Sequence, residues 1–234
     1  MATRSKSNRG TRLQIGASVL SAARLVDTRL VKDRLGRFEQ MHRTYAAAQR
    51  KVDTAEEELS AAEARIVACD AAQDEAVNAL AAALAGEGHA RRNPFEAFGA
   101  PPPSMIMRLP VPEEAGAVHQ LVTVIQRSKT ASVSKATLAA AQAADKAARA
   151  VEEALGPLAK LEENVRHARR TRESVVPGWE SALAALRRGT RAAADEGAPD
   201  LHARLFPPVV RAAPKSKPPE AEQPPAVTET PNAA

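Results

Sequence analysis

The sequence predicts an all-α protein: a long antiparallel two-helix coiled-coil hairpin, with a shorter third helix near its open end and disordered tails. Of the 234 residues, 44% are apolar but only 3% are aromatic, and alanine supplies most of the apolar fraction. Two long segments carry apolar residues at heptad spacing, and a proline-rich stretch separates them. Alanine removes little area from water, so a sandwich, barrel or doubly wound sheet is not expected. Abundant alanine, glutamate, arginine and leucine instead favour long helices.

The first predicted helix covers residues 12–86, where no proline occurs. Steps of three and four residues along it meet mostly apolar side chains, among them Leu59, Ile66 and Leu80. Such a stripe is typical of a helix that packs along a partner helix. At ~1.5 Å per residue this helix would be roughly 110 Å long. Gly86 suits its C-terminal end.

The second predicted helix covers residues 112–176 and follows a proline-rich linker at 87–111. It begins with a proline and two glutamates, which suit the first turn of a helix and the positive end of its dipole. Its apolar stripe includes Ile125, Leu158 and Leu161. A Gly-Pro pair inside the stripe predicts a kink, because proline removes a backbone hydrogen bond.

Shorter segments complete the predicted chain. A third helix covers 178–196, a short turn covers 200–206, and the helical hairpin as a whole covers 12–206. The basic segment 1–11 and the Pro/Ala-rich segment 207–234 have almost nothing to bury, so both are predicted to be disordered tails.

Charge offers a test of how the helices pair. With the turn centred near residue 99, residue i is expected to face roughly residue 198 − i. The acidic segment 53–75 would then lie against the basic side chains of 123–145. Flanking charge pairs help to select register, although each contributes only a few tenths of a kcal/mol. The net charge of +5 is therefore expected to combine an acidic middle with a basic open end.

Composition also bears on the setting. The single cysteine, Cys69, cannot form an internal disulfide, which favours a reducing, cytoplasmic location. No run of 18 apolar residues occurs, so no transmembrane segment is expected. The first 26 residues contain arginine and serine but no acid. That composition fits an organelle transit peptide as well as a basic tail that leads into the first helix.

The densest basic cluster lies late in the second predicted helix, and the third helix extends it. Its candidate contacts for nucleic acid or another anion are Arg166, Arg169, Arg170, Arg172, Arg187 and Arg188. The competing interpretation is a solvated helix face that is partly paired with neighbouring glutamates. No aromatic residues interleave with these arginines, so stacking of single-stranded bases is not expected.

The linker concentrates large apolar residues where a linker is usually polar. Phe95, Phe98, Ile106 and Leu109 are the candidate residues of a partner-docking tip, because exposed apolar patches often mark interaction sites. The competing interpretation is that these side chains fold back over the ends of the two long helices.

The sequence carries no recognisable catalytic constellation. None of the five histidines has a metal-ligand neighbour at helical spacing, and no phosphate-binding, dinucleotide-binding or nucleophile-elbow motif occurs. No catalytic, cofactor-binding or metal-ligating residue is therefore assigned, no cofactor is expected, and the protein is predicted not to be an enzyme.

These patterns predict a non-enzymatic coiled-coil structural or adaptor protein that mediates protein–protein assembly. Its partner would be another protein, a second copy bound through the helices, or both. The alternative is a protein that binds nucleic acid, or another anionic surface such as a membrane, with the basic open end of the hairpin.

Overall fold

The computed structural model describes residues 8–128 and 133–207 of the chain. Its helices are α1 (Asn8–Ala23), α2 (Lys32–Gly86), α3 (Pro103–Ile106), α4 (Val111–Arg127), α5 (Lys135–Leu155), α6 (Leu158–Ala192) and α7 (Leu201–Leu205), with short 3-10 turns at Arg29–Val31 and Glu96–Phe98. No strand occurs in the two described ranges, and the long helices α2 and α6 pack against each other, which confirms the all-α class. The tail predictions for 1–7 and 208–234 fall outside the described residues.

The first predicted helix is interrupted. It begins at Asn8, so residues 8–11 belong to α1 rather than to a tail, and it stops at Ala23. The carboxylate of Asp27 accepts a hydrogen bond from the backbone N–H of Arg29 at 3.1 Å and two from its guanidinium at 2.8 and 2.6 Å. A local side-chain turn of this kind competes with continued helix, and it accounts for the break before α2.

The second predicted helix is also divided, into α4, α5 and the first half of α6. α5 has its own N-cap, because the Oγ of Ser134 accepts a hydrogen bond from the backbone N–H of Thr137 at 3.2 Å. Gly156 and Pro157 separate α5 from α6, in agreement with the predicted kink.

The third predicted helix is not separate, because α6 continues through Pro177 as far as Ala192. A proline inside a helix costs roughly 3 kcal/mol. Just beyond it, Trp179, Leu183 and Leu186 are all buried. Burial of such side chains contributes roughly 1.5–3 kcal/mol each, which is enough to offset the proline.

The pairing of α2 with α6 differs from the predicted register. Glu56 of α2 contacts Arg169, whereas the expected partner lay near residue 142. Lower-numbered residues of α2 meet higher-numbered ones of α6, since Gln49 contacts Arg172. The shift arises because α4 packs on α5 as an additional helix, so the partner of α2 starts later in the chain.

Buried side chains form two separate cores. One joins the end of α2 to α4, α5 and the linker, and we call it the tip core. The other joins α1, the start of α2, the end of α6 and α7, and we call it the open-end core. Between them, none of residues 56–72 of α2 is buried. We call this stretch, with the residues of α5 and α6 opposite it, the waist.

Candidate interaction surfaces

Two arginines of the predicted basic cluster hold α6 against α2. Arg172 is only 5% exposed, and its guanidinium donates a hydrogen bond to the side-chain oxygen of Gln49 at 3.1 Å and pairs with Glu173. Arg169 donates two hydrogen bonds to the carboxylate of Glu56, at 2.9 and 2.6 Å. Arg172 is therefore engaged within the fold, whereas Arg169 is paired with Glu56 at the surface, with its side chain 47% exposed.

The other four arginines of the cluster are exposed: Arg166, Arg170, Arg187 and Arg188. In the part of the chain that the structure describes, none of the four forms an ion pair with an acidic side chain. Arg187 instead lies over the ring of Phe206, 5.2 Å from its centroid. The structure thus divides the predicted cluster into two arginines that contact side chains of α2 and four that form no ion pair among the described residues.

The predicted docking tip is not an exposed surface. Phe95, Phe98 and Ile106 are buried in the tip core, and Leu109 is half-buried. The linker closes on itself because the side chain of Asn93 accepts a hydrogen bond from the backbone N–H of Phe95 and donates one to a nearby carbonyl, both at 3.2 Å. The rings are drawn inward because they fill space at the ends of α2 and α4.

The residues of the two predicted apolar stripes, which we call the seam, lie in two different environments. Leu80 and Ile125 are buried in the tip core. At the waist, by contrast, the seam side chains are only half-buried: Leu59, Ile66, Leu158 and Leu161. Val67, on the same stretch of α2, is 69% exposed. The waist is therefore the part of the molecule where the apolar seam is least covered.

A buried carboxyl cluster lies where the start of α4 meets α2. Glu114 is 2% exposed and Gln73 is fully buried, and Asp70 and Asp74 lie beside them. One carboxylate oxygen of each acid and both amide atoms of Gln73 are buried without a hydrogen-bond partner in the protein. From its place in the first turn of the second predicted helix, Glu114 is expected only to complement the helix dipole. The one sequence signal of this cluster is the heptad spacing of Gln73, which indicates that Gln73 is buried.

Burial is the main reason that the pKa of Glu114 is raised above its ordinary value. The nearby Gln73 amide acts in the opposite direction, and the negative charges of Asp74 and Asp70 raise the pKa further. A carboxyl group without a compensating cation is costly to keep ionised inside a protein. This cluster therefore opposes the packing of α4 when Glu114 is charged.

A hydrogen-bonded contact joins α4 to α5. The Nδ1 of His119 lies 2.6 Å from a carboxylate oxygen of Asp145, and its Nε2 lies 3.4 Å from Glu152. Asp145 also pairs with Arg149 at 2.9 Å. This contact, unlike the Glu114 cluster, supplies its carboxylate with a hydrogen-bond partner and so helps to hold α4 in place.

Two negative findings apply to residues 8–128 and 133–207. No group of three or more His, Cys, Asp and Glu side chains is arranged to hold a metal ion there. No helix within these ranges has the length and apolar character needed to cross a membrane.

Comparison of the chain with protein-family models, with curated proteins and with solved structures gives no match. The candidate surfaces are therefore interpreted from their own geometry and charge.

Proposed function

We propose that the protein is a non-enzymatic coiled-coil scaffold or adaptor that mediates protein–protein assembly through its waist. In this proposal α2 and α5–α6 form an antiparallel pair whose two packed ends flank an interaction segment. The preferred partner is a second copy of the same chain. The observation that carries the proposal is the uncovered apolar seam at residues 56–72, where no side chain of α2 is buried.

The first support comes from the apolar side chains of the waist. Leu59 and Ile66 are half-buried and Val67 is 69% exposed, although heptad seams are normally covered. A further helix laid along the seam would remove these side chains from water. Each Å² of apolar surface so covered contributes roughly 25 cal/mol to association.

The second support is a shallow groove between α2 and α6 with a volume of about 560 Å³, which adjoins the waist and reaches it at Glu58. Its apolar lining consists of alanines: Ala47, Ala55 and Ala168. The distance between packed helices depends on the side chains at their contact, and small side chains allow a close approach. The groove is therefore suited to a helix rather than to a bulky ligand.

Charge favours a second copy as the occupant. The waist exposes acidic residues on α2, among them Glu57, Glu58 and Glu63, whereas α6 exposes the basic Arg166 and Arg170 next to Glu162 and Glu163. A twofold axis between two copies that brings the acidic α2 surface of one to Arg166 and Arg170 of the other would pair opposite charges. Such complementarity steers association and selects the partner.

Sedimentation equilibrium over a wide concentration range tests the proposal. Val67→Glu places a charge on the exposed apolar surface beside the seam without touching either core, and it is expected to weaken self-association by roughly tenfold or more. Leu25→Glu is the matched control, because Leu25 is 83% exposed in the turn before α2 and lies away from the waist. A strictly monomeric wild type, or equal association of Val67→Glu and wild type, would overturn assembly of copies at the waist.

A second candidate function rests on the four exposed arginines of α6. Arg170 and Arg188 are 18 residues apart, which corresponds to roughly 27 Å along a helix. Neither pairs with an acid among the described residues. A row of this kind could follow the phosphates of a nucleic-acid duplex, without reading its sequence.

Fluorescence anisotropy with duplex DNA tests this second candidate. Binding is expected at low salt, and Arg170→Gln with Arg188→Gln should reduce the salt slope by roughly 0.9 for each lost phosphate contact. Arg43→Gln is the control, because Arg43 is exposed but paired with Glu39 on α2. Absence of binding at low salt, or an equal effect of Arg43→Gln, would exclude it. Flotation with anionic vesicles but no DNA binding would assign the arginines to a membrane surface instead.

A further inference from the structure

A groove that lies between α1, α6 and α7, outside the waist, has the size of a small-molecule site. Its volume is about 490 Å³, which lies within the range of small-molecule sites. Ile15 and Val19 of α1 and Leu205 and Phe206 at the end of α7 supply its apolar lining. The groove is thus partly built from the open-end core.

Two arginines one helical turn apart line the same groove from α6. Arg187 and Arg191 are both exposed, and the guanidinium of Arg187 lies over the ring of Phe206. No carboxylate is among the described lining residues. Glu180, which shares an adjoining surface groove with both arginines, is paired with Arg12 at 2.7 Å. The groove therefore combines an apolar lining with two positive charges that no acid in its lining neutralises.

His202 of α7 adds a titratable group. Its Nδ1 lies 2.8 Å from the Oγ1 of Thr190, and that hydroxyl donates a hydrogen bond to the backbone carbonyl of Arg187 at 3.0 Å. In the tautomer that fits both contacts, the hydroxyl donates to the carbonyl, Nδ1–H donates to Oγ1, and Nε2 is the basic nitrogen of the neutral ring. The polar side chains that α1 contributes to the groove are uncharged: Thr11, Gln14 and Ser18.

The protonation state of His202 depends on what occupies the groove. Burial is the main factor that lowers the pKa of His202, and the charges of Arg191 and Arg187 lower it further. The ring is therefore neutral at pH 7. A negative charge next to these arginines would offset their effect and favour protonation of Nε2.

We propose that this groove binds a small amphipathic anion, with a phosphate or carboxylate head between Arg187 and Arg191 and an apolar body against the half-buried Ile15 and Phe206. Guanidinium groups match both head groups in charge and in geometry. Binding at pH 7 takes up a proton on His202. The site lies outside the waist, so it goes beyond the proposed assembly function and does not depend on it.

Calorimetric titration of the full chain at low salt tests the proposal, with octyl phosphate, octanoate and inorganic phosphate as probes. We expect one or both amphiphiles to bind, and their relative affinities identify the preferred head group. Inorganic phosphate should bind roughly tenfold more weakly or not at all, because it lacks the apolar body. Tighter binding of inorganic phosphate than of octyl phosphate would overturn the apolar part of the site.

Variants separate this groove from general attraction to a basic surface. Arg191→Gln is expected to lower the affinity by roughly tenfold or more, because a charge-assisted hydrogen bond is lost. Arg188→Gln is the matched control, since Arg188 is exposed on α6 directly after Arg187 but does not line the groove. Absence of binding by both amphiphiles, or an equal loss in the two variants, would overturn the proposal.

Proton uptake is a further readout. Octanoate is the probe for this readout, because a phosphate head group itself exchanges protons near pH 7 whereas a carboxylate does not. Titrations with octanoate at pH 7 in buffers of different ionisation enthalpy should reveal proton uptake on binding to the wild type and none in His202→Gln. Equal uptake by the two proteins would contradict the assigned role of His202. Association at the waist is measured without any anion, so failure of this site and failure of the assembly proposal are distinguishable.

Discussion

The indole Nε1–H of Trp179 on α6 donates a hydrogen bond to Nδ1 of His42 on α2, with the two nitrogens 3.3 Å apart. Both side chains are buried, and the ring of Phe38 contacts each of them. Because indole nitrogen can only donate, His42 must be unprotonated at Nδ1. The main contact between α6 and the start of α2 therefore includes a histidine that has to remain neutral.

Acid should destabilise the open-end core through His42. Burial lowers the pKa of His42 below its ordinary value of 6.5. A base whose pKa is depressed in the folded state contributes stability that is present above pH 6.5 and lost as the pH falls toward the folded pKa. Thermal melts between pH 7 and pH 5 should show a decrease in Tm that is smaller in His42→Gln. Replacement of the exposed His167 by Gln, outside the open-end core, is the control for loss of a histidine.

The contribution of Glu114 to stability should have the opposite pH dependence. Because its pKa is raised, its contribution is favourable below pH 4.5 and is lost as the pH rises through the folded pKa. Glu114→Gln is expected to stabilise the protein at pH 7 by roughly 1–3 kcal/mol, since it removes a buried charge. Denaturant unfolding at pH 4 and pH 7 measures the difference. Glu113→Gln, at the exposed neighbouring position, should change little; a destabilised Glu114→Gln would contradict an uncompensated carboxylate there.

Two glycines provide a matched test of the packing of α1. A Cβ on Gly16 would lie 2.1 Å from Nδ1 of His42, whereas a Cβ on Gly116 would meet nothing within 4 Å. Gly16→Ala is expected to destabilise by roughly 1–3 kcal/mol, because a packed ring must move. Gly116→Ala should stabilise α4 by up to about 1 kcal/mol through helix propensity. Similar shifts in Tm for both variants would show that α1 does not pack closely on His42.

Substitutions of Arg172 and Arg170 should differ strongly in their effect on stability, although the two residues are only two positions apart on α6. Arg172→Ala leaves the side-chain oxygen of Gln49 without its donor and removes a buried aliphatic stem, so we expect a loss of roughly 2 kcal/mol or more. Arg170→Ala, at an exposed position, should stay within about 0.5 kcal/mol of the wild type. Urea unfolding compares the two. Equal stabilities would mean that Arg172 does not hold the helices together.

The helical class and the apolar seam are visible in the sequence because they follow from local periodicity. Leu80 and Ile125 were expected at helix interfaces, and both are buried. The register was not predictable in the same way, since it depends on α4 packing on α5 as a separate helix. Periodicity identifies the apolar face of a helix but not which partner covers it.

In the candidate sites, too, local sequence shows the residue types but not their burial. That Arg166 and Arg170 are exposed while Arg172 is buried depends on the rotation of α6 against α2, which a basic cluster in the sequence does not specify. The buried position of Glu114 depends on where α4 begins relative to Gln73. Both features arise from tertiary packing, which overrides the usual preference of charged residues for the surface.

Assembly at the waist is tested most directly by a distance between copies. Cys69 is the only cysteine and lies within residues 56–72, so a nitroxide can be placed there without other changes. Association of two copies through the waist predicts a defined distance between the labels by pulsed electron resonance, lost in Val67→Glu and retained in Leu25→Glu. Absence of dipolar coupling in the concentrated wild type would contradict assembly through this segment.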